Sequence, residues 1–188
     1  MHLHRLVAFV LLAASRPLLR HAGAQALPTA TGPGSMLAIG VGASAYRLDY
    51  GQRWLGGVEG WVDYTPLLHF GVEAEARSLL FNEDLGTHAT TLLAGPRVPL
   101  FRYPIEPYVK ALAGSGHFVF PYNYARGNYL VVAAGGGIDL HVGDRLQVRV
   151  IDVEYQRWPK FTFGDMPSYG ISAGISYTLH RSPTWWVR

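Results

Sequence analysis

The sequence predicts an all-β protein: a closed, antiparallel, eight-stranded up-and-down barrel that crosses a membrane. Three observations carry the prediction. Between Met36 and Leu179, eight segments alternate apolar and polar residues with a period of two, which is the side-chain period of a strand. These segments are long, matching the roughly 9–11 residues of a tilted transmembrane strand better than the five or six of soluble sheets. Their polar faces carry mostly glycine and a few charges, which suits the narrow lumen of an eight-stranded barrel.

The first segment runs from Met36 to Tyr46, with Leu37, Ile39, Val41, Ala43 and Ala45 on one face and Ala38, Gly40, Gly42 and Ser44 on the other. The second, Trp54 to Tyr64, sets Val58, Val62 and Tyr64 against Glu59 and Asp63. The third, His69 to Leu79, alternates Phe70, Val72, Ala74 and Ala76 with Gly71, Glu73, Glu75 and Arg77. In the fourth, His88 to Val98, Leu92, Ala94 and Val98 oppose Gly95 and Arg97. The fifth, Pro107 to Ser115, sets Val109, Ala111 and Ala113 against Tyr108, Lys110 and Gly114. In the sixth, Asn128 to Leu140, five aliphatic residues from Leu130 to Leu140 oppose Gly135, Gly137 and Asp139. The seventh, Leu146 to Trp158, slips parity at Val150-Ile151, which a β-bulge explains by bringing Arg149, Asp152, Glu154 and Gln156 onto one face. The eighth, Ser168 to Leu179, alternates Tyr169, Ile171, Ala173, Ile175, Tyr177 and Leu179 with Gly170, Ser172, Gly174 and Ser176.

The connectors suggest two unlike ends. Thr65-Pro66-Leu67 and Gly143-Asp144 read as short turns, whereas 82–87, 116–127 and 159–167 read as longer polar loops, the asymmetry of bacterial membrane barrels. Two connectors depart from it: 48–53 is short for an outer loop and 99–106 is long for an inner turn.

Residues 1–24 read as a secretory signal. Arg5 precedes the apolar stretch Leu6 to Ala14, and Ala22-Gly23-Ala24 and Ala24-Gln25-Ala26 offer cleavage sites. Residues 25–188 then form one barrel domain. Of 16 Lys and Arg, three lie in the signal, which leaves 13 against 13 Asp and Glu. The formal charge of +3 therefore gives no argument for nucleic-acid binding. No apolar run reaches the roughly 18 residues of a membrane helix, and the chain has no cysteine for disulfides or thiolate metal sites.

Alternation alone leaves two arrangements open. In a membrane barrel the apolar face meets lipid; in a soluble lipocalin-like barrel binding a small apolar ligand it forms the core. Glycine on the polar face favours the membrane, because a soluble exterior calls for Lys, Glu and Thr. Tyr169 and Tyr177 bracket an aliphatic run, and Tyr46, Trp54, Tyr64, Phe70, Phe101, Tyr108, Tyr129 and Trp158 gather at segment ends, as interfacial aromatic girdles do.

The span from Ser35 to His180 resembles the outer-membrane β-barrels of the OmpA-like and OmpX-like family, without the peptidoglycan-binding domain. The resemblance rests on the eight strands and on segments such as Ala94-Gly95-Pro96-Arg97, Pro107-Tyr108-Val109-Lys110 and Tyr169 to Ile175. It implies a location in the cell outer membrane, insertion by the barrel-assembly machinery, a lipid bilayer as partner and a monomeric state. Members of the family end on an aromatic residue that this machinery reads, whereas this chain continues past Leu179 to Trp185-Trp186-Val187-Arg188.

On this register the lumen holds Glu59, Glu73, Glu75, Asp152 and Glu154 against Arg77, Arg97, Lys110 and Arg149. Buried charges must pair, so these nine residues read as a lumen charge network that stiffens the barrel, with a narrow gated pore as the functional variant. Some barrels of this size modify lipid A, and Ser115, His117 and Asp165 are the residue types of a nucleophile, base and acid. Two residues apart on one strand is a poor nucleophile–base geometry, and an enzyme is not the expectation. The five histidines of the barrel region, His69, His88, His117, His141 and His180, lack ligand spacing. No metal or other cofactor is expected, and Gly135-Gly136-Gly137 is not a phosphate loop. The expected role is structural or surface-interacting.

Overall fold

The structure is a computed structural model. It describes residues 35–49, 53–67, 69–81, 87–101, 104–120, 122, 125–161 and 164–182. The expected export segment and the Trp185-Trp186 tail lie outside the described residues.

Eight strands follow in order: β1 (Met36–Leu48), β2 (Arg53–Leu67), β3 (Phe70–Phe81), β4 (His88–Pro99), β5 (Ile105–Val119), β6 (Arg126–His141), β7 (Leu146–Phe161) and β8 (Gly164–Arg181). Each pairs antiparallel with its sequence neighbour, and β1 pairs with β8 to close the barrel. Closure leaves no strand edge, so the backbone groups along the sheet are paired without water. The register shifts between Arg149 and Asp152 on β7, where the parity slip calls for a bulge. Arg149 and Asp152 point inward there, with Val150 and Ile151 both outward between them.

The strands are longer than their alternation suggests. β5 continues to Val119 and β6 starts at Arg126, and they pair through His117↔Asn128 to Val119↔Arg126. β7 and β8 approach to Phe161↔Gly164. The expected long loop at 116–127 is therefore half strand, and that at 159–167 is mostly strand. The sequence pattern fails there because the polarity of the two faces reverses: the inward residues of the extensions are large and apolar, Phe118, Trp158, Phe161 and Met166, whereas Arg126, Asn128, Arg157 and Asp165 face outward. One end, called the turn end, carries the connectors at 68–69, 100–104 and 142–145 together with Met36 and Arg181. The opposite end is the loop end.

Cross-strand pairs of glycine and aromatic residue shape the interior. Trp61 faces Gly40 and Tyr46 faces Gly170 across the ladder, and a Cβ at either glycine would fall inside the facing ring. The missing side chain lets each ring lie flat against the wall. Tyr46, Tyr108 and Trp158 are accordingly 1–2% exposed and belong to the lumen rather than to the external girdle expected of them. Trp54, Tyr64, Phe70, Phe101, Tyr155, Tyr169 and Tyr177 do face outward.

Replacing Gly170 with valine should push the Tyr46 ring off the wall and lower unfolding free energy in detergent by about 1–3 kcal/mol. Gly143→Ala, where nothing lies near the added carbon, should change it by less than about 0.5 kcal/mol. Urea titration followed by tryptophan fluorescence compares the two; equal midpoints would contradict the packing assigned to Gly170.

Candidate functional site

The interior divides into three levels along the barrel axis. At the turn end lie small and polar groups. Gln147 donates from Nε2 toward Met36 Sδ at 3.4 Å, lies 2.9 Å from His141 Nε2, and accepts from Ser176 Oγ at 3.2 Å. The middle level holds the charges. The loop end is filled by an apolar cluster that includes Leu48, Leu55, Leu93, Phe118, Phe120, Trp158, Phe161 and Met166.

All nine charged residues picked out in the sequence point into the middle level and are at most 5% exposed. Strand alternation places them there, and neighbouring strands set their depth: Glu59 lies opposite Arg77, and Gly135 opposite both Lys110 and Glu154. Arg77 donates from Nη2 to Glu59 Oε2 at 2.8 Å and from Nη1 to Glu154 Oε1 at 3.0 Å, with Glu75 Oε1 at 3.1 Å. Lys110 Nζ donates to Glu73 Oε1 at 2.8 Å and Glu75 Oε2 at 2.9 Å, and lies 2.8 Å from Asp152 Oδ2 and 3.1 Å from Glu154 Oε2. Arg149 Nη2 donates to Glu73 Oε2 at 2.9 Å, and its Nε to Asp139 Oδ1 at 3.3 Å. Arg97 donates from Nη1 to Glu106 Oε1 at 3.0 Å and from Nη2 to Asp139 Oδ2 at 2.8 Å.

Three acids of this level were not picked out from the sequence: Asp63, Glu106 and Asp139. Asp63 and Asp139 share parity with Glu59 and Gly137, so their inward direction was legible. Glu106 reads as part of a turn in the sequence because Pro107, which cannot donate to a ladder, obscures the start of β5 at Ile105. Rings complete the level. The Arg77 guanidinium lies 4.3 Å from the Tyr46 ring centre, that of Arg97 3.9 Å from Tyr108, and that of Arg149 4.0 Å from Trp61. Tyr108 donates its hydroxyl to Asp152 Oδ2 at 2.6 Å, and Tyr46 to Glu154 Oε1 at 3.0 Å.

Among the described residues, eight buried carboxyl groups (Glu59, Asp63, Glu73, Glu75, Glu106, Asp139, Asp152, Glu154) face four Lys and Arg. Each cation therefore serves several acids, whereas most acids share their cation with others. That asymmetry sets what a substitution does: losing a cation strands several charges, and losing an acid strands none.

The residues considered for acyl chemistry do not come together. His117 Nδ1 is hydrogen bonded to Asn128 Oδ1 at 2.7 Å, and Asp165 accepts from Arg157 on the neighbouring strand. Ser115 and His117 sit on β5, and β6 and β7 separate them from Asp165 on β8. Among the described residues no group of three or more His, Cys, Asp or Glu has metal-binding geometry.

The exterior is the reverse of the interior. Val41 and Leu92 are 61% and 62% exposed, with Ile39, Val58, Leu130, Val153, Ile171 and Ile175 also outward. A soluble barrel built on an apolar core requires the opposite arrangement.

No protein-family model and no curated protein sequence matches the chain. Its fold does match solved structures. The neisserial surface protein A (NspA) superposes with a TM-score of 0.62 at 11% identity, over 78% of this chain and 97% of that one. The N-terminal β-barrel domain of Pseudomonas aeruginosa OprF gives 0.55 at 12% identity, over 76% and 97%. The outer membrane protein OprG from the same organism gives 0.52 at 12% identity, over 79% and 97%. The chain has the fold of the eight-stranded outer-membrane β-barrels.

Arg97→Ala should lower the unfolding free energy in detergent by about 3–5 kcal/mol, since Glu106 loses the Arg97 hydrogen bond and Asp139 keeps only that from Arg149, both carboxylates still being buried. Asp63→Asn should change it by no more than about 1 kcal/mol, because Arg97 and Arg149 keep other acids. Thermal unfolding of both variants in the same detergent compares them; equal losses would contradict the acid surplus.

Proposed function

We propose that the chain is an integral protein of the cell outer membrane with a structural and surface-interaction role. The observation that carries the reading is the reversed polarity: buried charges line the interior and an apolar belt covers the exterior. In water that belt would remain exposed, far beyond the few hundred Å² of apolar patch a soluble monomer usually shows. Against hydrocarbon it needs no cover. On β8, Tyr169 and Tyr177 lie about 26 Å apart along the strand at about 3.3 Å per residue; a tilt of about 40° gives roughly 20 Å along the normal, close to the apolar band of such barrels.

The comparisons supply the fold, and its known holders named above include outer-membrane and surface proteins; the same address for this chain is our reading. Its partners are the lipid bilayer and, during insertion, the barrel-assembly machinery, and it works as a monomer. Surface contact falls to the loop end, where Tyr122 is 77% exposed. Two features argue against conduction. The ion-pair level crosses the lumen at mid-height, and the apolar cluster above it leaves passing ions no hydration. A gated pore would have to displace both.

Two measurements test the reading. The protein should stay with outer-membrane fractions after washing with alkaline carbonate or urea; release into the soluble fraction would overturn it. Reconstituted in planar bilayers, it should give no steady single-channel current, and discrete open levels would restore the pore.

A further inference from the structure

The connector 142–145 and the end of β8 enclose a polar recess of about 330 Å³ lined by Asp144, Arg145, Thr178, Leu179 and Arg181. We infer that this recess is a binding site for a phosphate group, carried by a lipid headgroup or free in solution. The lipid form rests on the membrane reading above; the anion chemistry does not.

The local backbone fixes the recess. Thr178 donates its N–H to the Arg145 carbonyl at 2.7 Å, and Val142 donates to the Leu146 carbonyl at 3.0 Å. The turn is thus tied both to its own hairpin and to β8. Arg145 and Arg181 bring two guanidinium groups to one space, each able to present a fork of N–H donors to phosphate oxygens. One acid lies between them, but weakly: Arg181 Nη2 is 3.7 Å from Asp144 Oδ1, and the Asp144 side chain is 96% exposed. A contact that long in water is worth little, so a doubly charged or bidentate oxyanion displaces it. Arg145 Nη1 reaches the Tyr177 hydroxyl at 3.5 Å, and Tyr177 and Leu179 are outward residues of the apolar belt. The recess therefore lies at the belt's margin, the depth at which headgroup phosphates meet a barrel, and beside side chains that can hold the first acyl carbons. The lumen network shares no residue with it.

The test titrates the full mature chain, folded in dodecyl maltoside, with inorganic phosphate, with dihexanoyl phosphatidylglycerol and with dihexanoyl glycerol, by isothermal calorimetry. Saturable binding of a phosphate compound and none of dihexanoyl glycerol is expected. Binding of phosphatidylglycerol alone assigns the site to lipid, and equal binding of inorganic phosphate assigns it to the free ion. Arg145→Gln combined with Arg181→Gln should weaken binding at least tenfold, Asp144→Asn should strengthen it several-fold, and Arg157→Gln at the loop end should leave it unchanged. Heat-modifiable gel migration verifies that each variant is folded. The proposal fails if neither phosphate compound binds saturably, or if the folded double variant binds as the parent does. Folding of the chain in plain buffer would remove the membrane reading yet leave the phosphate titration to stand or fall alone.

Discussion

An eight-stranded barrel is too narrow to hold bulk water, so every charge placed inside it must be answered by another side chain. The rest of the structure follows from that constraint. Four cations answer eight acids here by standing where several strands converge. Lys110 on β5 reaches acids on β3 and β7, and Arg149 on β7 reaches acids on β2, β3 and β6. Such contacts cross the barrel and tie non-neighbouring strands, which the backbone ladder does not do.

The remaining space is managed by aromatic rings on glycine. Where Trp61 and Tyr46 lie against Gly40 and Gly170, the strand itself forms the floor of a slot, and the ring turns its π-face to an arginine. Cation–π contact strengthens when water is excluded, so the rings both fill volume and help neutralise the arginines. Above this level the lumen changes character and becomes an apolar core of ordinary kind, closing the barrel at the loop end. The interior is thus a polar layer beneath an apolar one, inside a sheet whose outer face is apolar throughout its middle.

Much of this was legible in the sequence because a strand has only two faces. Parity assigned the direction of Glu59, Arg77, Arg97, Lys110 and Glu154, and the slip at Val150-Ile151 marked the bulge. What was not legible fell where parity carries no contrast. Tyr46 and Tyr108 sit at segment ends like girdle residues, and only their even numbering, shared with Gly40 and Lys110, shows that they point inward. Phe118, Trp158 and Phe161 occur in stretches where the apolar residues turn inward and polar ones such as Arg126, Asn128, Arg157 and Asp165 face outward, the reverse of the pattern that marks the rest of each strand, so the strands extend past the expected boundaries. Glu106 was hidden beside a proline. The pairing of acids with particular cations depends on stagger between distant strands, which no single sequence fixes.

The central claim is that the aliphatic face of these strands touches hydrocarbon. Because the chain has no cysteine, single spin labels can be placed at will, and adjacent positions on β8 decide the matter. Labels introduced through Ile171→Cys and Ser172→Cys in the bilayer-reconstituted protein should differ sharply. The first should relax strongly with oxygen, which concentrates in lipid, and weakly with a water-soluble nickel complex; the second should be accessible to neither. If the label at 171 were shielded from both reagents while that at 172 met the aqueous one, the faces would be inverted and the account would be wrong.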